Sequence, residues 1–141
     1  MNYDYKEKKI VIVLDSKLEM GVALNVVGHL SMALGYHAEN HMGRKNLSDA
    51  SNGLHLGISR YPIIITKAKG GKLRNGLLKA KASSNVLVVD YPSIMYETEH
   101  DDELADALSS LSEDSIEYYG FIMYGKTEEV DGISGKFSLW R

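Results

Sequence analysis

A chain of 141 residues and 15.7 kDa has the common size of a single domain and can bury about two-thirds of its unfolded surface. Its 44% hydrophobic and 25% charged residues, with a net charge of −3, are globular composition and exclude a disordered tail, a fibrous repeat and a membrane protein. The absence of cysteine removes disulfides, thiolate metal sites and cysteine nucleophiles.

The first residues, MNYDYKEKK, lead only into the short apolar run Ile10 to Leu14, too brief for the apolar core of a secretory signal. Lys9 to Leu14 instead reads as a strand that is β-branched and apolar on both faces, as in the middle of a covered sheet. Glu19 to Leu34 follows as a helix, apolar almost all round and therefore expected to be heavily buried, with Gly35 as its stop. Its longest apolar stretch, Val22 to Leu34, is broken by Asn25, His29 and Ser31 and falls short of the roughly 18 residues of a membrane span. A cytoplasmic protein is the expectation, with no membrane partner.

Residues 36–60 are the least regular part, with a turn at Asn52-Gly53 and a short strand from Leu54 to Ile58 as their main signals. Pro62 then introduces a buried strand, Ile63 to Thr66. Gly70-Gly71 opens a helix from about Lys72 to Ala82 with Leu73, Leu77 and Ala80 as its apolar stripe. Val86 to Val89 is a third strand ending at Asp90. Asp101 to Leu111 is a helix whose leading acids suit the positive end of its dipole. Tyr118 to Tyr124 and Lys136 to Trp140 are the last strands, the second after turns at Gly132 and Gly135. The alternation predicts one α/β domain over residues 1–141, a three-layer α/β/α arrangement on a mixed, mostly parallel sheet.

Charge is distributed unevenly. Residues 1–49 are neutral, residues 50–89 hold seven bases and no acid, and residues 90–141 hold thirteen acids against three bases. Such a basic block either reads phosphate or neutralises the acidic third of the same domain, and the second reading is the simpler.

In open α/β sheets, ligands collect beyond the carboxyl ends of parallel strands. That rule selects Asp15, Lys67, Lys69 and Asp90. Helical spacing adds a polar line of Gly21, Asn25 and His29 on an otherwise apolar helix. Asp90, Asn25 and His29 are the catalytic candidates; Asp15, Gly21, Lys67 and Lys69 are the ligand-binding candidates. His37 and His41 lack an acidic partner at zinc-protease spacing, so no metal and no cofactor are expected. Gly70-Gly71-Lys72 lacks the rest of a phosphate loop and reads as a helix entry.

The runs VIVLDSKLEMGVALNVVGHLSMALGY, GISRYPIIITKAK and YYGFIMYGKTEEVDGISGKFSLW resemble the uncharacterised family called domain of unknown function two-thousand. The marks are Gly21 with Ala23 and Asn25, Gly57-Ile58 with Pro62, and Gly135 with Leu139. The resemblance implies a fold similar to type II peptidyl-tRNA hydrolase, in a family whose members are often dimeric, which leaves a homodimer open. It matches Asp90 to that enzyme's strand-end acid and His29 to its helix histidine. It departs at Val22, where the hydrolase carries lysine, and at Ile94, where it carries threonine. Two functions are therefore expected in competition. One is a binding module for a small or nucleotide-like ligand at the strand ends. The other is a divergent hydrolase of peptidyl-tRNA or a related ester, with tRNA gripped by the basic block.

Overall fold

The computed structural model describes residues 2–141. Its core is a five-stranded sheet in the order β5-β6-β1-β4-β7. The strands are β1 (Lys8–Asp15), β4 (Ile63–Ala68), β5 (Leu87–Pro92), β6 (Tyr118–Lys126) and β7 (Ser138–Leu139). A separate hairpin pairs β2 (Asn46–Ser48) with β3 (Leu54–Leu56).

β1 is central because every second residue on each face is apolar. Ile10, Ile12 and Leu14 bury on one face among Ala23, Val26, Leu30 and Leu34 of α1 (Met20–His37). Val11 and Val13 bury on the other among Leu73, Leu77 and Ala80 of α2 (Gly70–Ala82) and Val130 of α5 (Thr127–Ser134). Helices thus cover both faces. Two small helices, α3 (Ser93–Glu97) and α4 (Asp101–Ser109), follow β5, and a 3-10 turn at Glu113–Ser115 leads into β6.

The sheet is mixed, but the expectation of a mostly parallel one is corrected. Only β1 and β4 are a parallel pair; β1–β6, β5–β6 and β4–β7 are antiparallel. β5 does run in the direction of β1, but β6 lies between them and reverses both ladders. Placing a long strand there lets Phe121, Ile122 and Met123 bury completely, which suits its apolar run on both faces.

Three local expectations also change. α1 passes through Gly35 to His37, because Gly35 lies on its outer face and costs only about 1 kcal/mol of helix propensity there. That outer face is exposed rather than buried: Leu24, Met32 and Tyr36 are 63%, 81% and 84% accessible. The expected turn at Asn52-Gly53 is present, with Asn52 at φ of 66°, and the strand expected from Leu54 is β3, paired with β2. Gly132 lies inside α5 instead of in a turn; α5 places Val130 in the core while Lys9 pairs with Asp131.

Candidate functional site

The strand-end rule leads to one edge of the sheet, where β1, β4 and β5 finish and β6 begins. The sheet itself divides that edge into two hollows.

On the α2 face, Asp15 is 8% exposed, and its carboxylate accepts the Lys17 amide at 3.0 Å. It borders a hollow of about 340 Å³ with Lys17, Gly70, Arg74 and residues 114–118. Little of that polarity is free. Arg74 Nη1 donates to both Glu113 carboxylate oxygens, at 2.6 and 2.8 Å, and Nη2 to the Ile116 carbonyl. Asp90 lies on the same face, held by Lys81 Nζ at 2.7 Å beside the Tyr118 ring. Burial works against the Lys81 charge, but the hydrogen bond and charge of Asp90 outweigh it and hold the lysine above its ordinary pKa of 10.5.

On the α1 face, β5 presents Tyr91, one residue beyond Asp90 and so on the opposite side of the sheet. Tyr91 is buried and stacks on Tyr119 with centroids 6.1 Å apart and planes 6° from parallel. His29 of α1 tilts against Tyr91 at 6.0 Å, and Tyr96 of α3 against Tyr119 at 6.0 Å. His29, Tyr91, Tyr96 and Asn25 border a hollow of about 300 Å³ whose outer wall is Met95, Thr98, Glu99, His100, Asp101 and Leu104, while Tyr119 stacks on Tyr91 outside that lining. The wall is fastened: the Thr98 hydroxyl donates to the Met95 carbonyl at 3.2 Å. The Glu103 carboxylate accepts the Glu99 and His100 amides at 2.7 and 3.4 Å. The Asn25 and His29 side chains line the hollow and make no hydrogen bond to any other described residue. Burial, reinforced by Tyr96 and Tyr119, raises the Tyr91 phenol above 10.0, which keeps it a neutral donor at physiological pH.

The candidate residues therefore separate. Asn25 and His29 come together at the aromatic cleft. Gly21 is exposed one turn before Asn25, with nothing within 4 Å of a Cβ built on it. Lys67 is half-buried and follows Ile65 onto the α1 face by strand alternation, outside the cleft lining. Asp15 and Asp90 occupy the opposite face, and Lys69 is exposed just before α2. Asp90 is thus not assembled with Asn25 and His29. Tyr91, Tyr96, Tyr119 and the 98–101 segment were missed in the sequence; the parity of β5, which puts Tyr91 with Leu87 and Val89, is the signal that points to them.

A hollow of about 370 Å³ at the other end of the sheet is bordered by Lys8, His37, Asn85, Tyr124 and Lys126. Its tyrosine is engaged internally, the hydroxyl donating to the Glu39 and Asn40 carbonyls at 3.3 and 3.4 Å. Among the described residues no group of three His, Asp or Glu side chains is gathered as metal ligands are, and no helix is long and apolar enough to cross a membrane.

The chain's fold is similar to the solved structure of a protein of unknown function from Agrobacterium tumefaciens. The TM-score is 0.85 at 21% identity, covering 96% of this chain and 98% of that one. No curated protein matches the chain. Residues 8–141 match the family described as Protein of unknown function (DUF2000).

Proposed function

We propose that this chain, which belongs to the DUF2000 family, is a binding module for a small planar molecule that is neutral or positively charged. The observation that carries the reading is the cleft between α1 and α3–α4. There Tyr91, backed by its stack on Tyr119, and Tyr96 line the hollow with Asn25 and His29, whose side chains make no hydrogen bond to another described residue. Tyrosine faces hold a flat ring by stacking, and an amide with an imidazole fixes its orientation by complementary hydrogen bonds. Glu99 and Asp101 border the opening with no lysine or arginine beside them, so a phosphate is repelled and a nucleoside-like ring is favoured over a nucleotide. A cytosolic setting agrees with a chain that has no cysteine.

Adenosine and AMP are suitable probes for calorimetry on the full chain. Adenosine binds more tightly than AMP, and Asn25→Ala and His29→Ala each weaken adenosine about fivefold, the value of one hydrogen bond of about 1 kcal/mol. Both positions are exposed, so melting temperature holds. Wild-type affinity in both variants contradicts the reading, and AMP binding more tightly contradicts its charge argument.

The second reading is a divergent hydrolase on a peptidyl-tRNA hydrolase II-like three-layer fold. It draws support from Asp90 at a strand end and from Lys67, Lys69, Lys72 and Lys79, which make no ion pair with another described residue. The Lys81–Asp90 pair weighs against it, since an acid held by a lysine is a poor water-orienting base. Release of tRNA from an N-blocked aminoacyl-tRNA, abolished by Asp90→Asn, is the result that makes this reading the working one.

A further inference from the structure

The outer face of α1 has a pattern that the monomer does not use. We infer that a second copy of this chain covers it, helix against helix, on a two-fold axis passing at Gly28. Three glycines, Gly21, Gly28 and Gly35, are spaced by seven residues and run down the middle of the exposed face. A Cβ built on any of them meets nothing within 4 Å. Each costs about 1 kcal/mol relative to alanine inside a helix, and no neighbour within the chain requires the missing side chain.

The residues flanking the glycines are arranged symmetrically about Gly28. Four positions away on either side stand Leu24 and Met32, exposed by 63% and 81%. Eight away stand Met20 and Tyr36, exposed by 57% and 84%. Seven away stand the other two glycines. A two-fold axis requires a self-complementary patch, in which a residue before the axis meets one the same distance after it. An antiparallel crossing at Gly28 sets Leu24 against Met32 and Met20 against Tyr36, large apolar side chains on each other, with glycine notches between them for close approach.

Charge points to the same occupant. α1 has no Lys, Arg, Asp or Glu in 18 residues, in a chain that is 25% charged. Near a two-fold axis a charged side chain faces its own copy, so a charge-free helix is what a self-interface needs. The four large side chains expose on the order of 600 Å², and with the glycine backbone and neighbouring loops this approaches the roughly 800 Å² per partner of a standard interface. The exposed leucines of the β2–β3 hairpin form the competing apolar surface, but they are interleaved with Arg44, Lys45, Asp49 and His55. Asn25 lies three residues from the axis, so the partner helix becomes a wall beside the aromatic cleft; the dimer itself does not rest on any ligand.

Sedimentation equilibrium of the full chain up to about 500 µM tests the inference. The expected mass is twice 15.7 kDa. Gly28→Leu and the double variant Leu24→Lys, Met32→Lys weaken the dimer at least tenfold, while circular dichroism shows the same fold and an equal or higher melting temperature. Leu54→Glu with Leu56→Glu leaves the dimer intact. A monomeric wild type at every concentration overturns the inference. So does a Gly28→Leu protein that dimerises like wild type, or a dimer dispersed by the hairpin variant alone.

Discussion

Gly120 and Gly28 show how differently one residue type acts at two places in this chain. Gly120 lies in β6 opposite Leu14, and a Cβ there stands 2.6 Å from the Val13 carbonyl oxygen and 3.0 Å from a Leu14 methyl. Gly120→Ala is expected to cost about 1–3 kcal/mol through overpacking in the centre of the sheet. Gly28→Ala, with open space around it, is expected to stabilise the monomer by up to about 1 kcal/mol through helix propensity. Urea unfolding of the two variants at one protein concentration separates these effects; a loss at both positions of the same size contradicts the packing account. Asp49 offers a pH test at the same scale. The hydrogen bond from His55, followed by those from the Gly53 and Ser51 amides, holds its carboxyl below 3.8. Its pKa falls on folding, so its contribution is present above 3.8 and disappears as pH drops through the lower folded value. Exchange protection of the β2–β3 hairpin is therefore expected to persist down to pH about 4 and fail below it, whereas Asp49→Asn weakens it at neutral pH. An unchanged hairpin in Asp49→Asn contradicts this role. Neither role was legible beforehand: the Asn52-Gly53 turn is visible in the sequence, but which carboxylate caps it depends on the fold.

Among the elements, strands were more legible than faces. β1 and β4 announce themselves through dense runs of Ile and Val, β6 through its aromatic and apolar run Phe121, Ile122 and Met123, and α2 through the spacing of Leu73, Leu77 and Ala80, all buried as that spacing requires. The polar line Gly21, Asn25 and His29 was also legible as a line, but its direction was not. A helix apolar all round gives no phase, and the sheet chose the face with Ala23, Val26, Leu30 and Leu34. The same limit separated Asp90 from Asn25 and His29. Alternation puts Asp90 and Tyr91 on opposite faces, but only the packing of α1 over Tyr91 shows which of them meets the polar line. α5 was hidden because Gly132 and Gly135 resemble turn residues, although Glu128 and Glu129 stand in its first turn, where the helix dipole favours them. Between α2 and β5, Lys81 and Asp90 provide a test. The lysine's pKa rises on folding, so the pair stabilises below about 10.5 and is lost as pH climbs through the raised value. Since both side chains are partly exposed, the contribution is about 1 kcal/mol or less. Wild type is expected to melt above Lys81→Met at pH 7 and to lose that advantage as pH rises beyond 10.5 through the lysine's raised value; a gap that stays constant as the lysine deprotonates contradicts the ion-pair account.

At the scale of the whole molecule, the uneven charge resolves into internal pairing with a remainder. Arg74 and Lys81 of the basic block bind Glu113 and Asp90 of the acidic third, while Lys67, Lys69, Lys72 and Lys79 stay unpaired among the described residues. Glu99 and Asp101 border the cleft that Tyr91 and Tyr96 line, which gives it a negative rim. α1 serves two surfaces at once, one edge forming the cleft through Asn25 and His29 and its middle forming the glycine seam. The expectation of a mixed sheet with helices on both faces carries over to this arrangement. The mostly parallel sheet does not, because strand order is set by non-local pairing that no run of residues encodes.

The cleft's identity as the binding site is tested most directly by following every backbone amide of the full chain in nitrogen–proton correlation spectra during an adenosine titration. The account predicts shifts at Asn25 and His29 and across residues 91–101, with the signals of Lys69–Lys81 and residues 114–118 unmoved. Shifts gathered on that second group, or none at saturating adenosine, would contradict it.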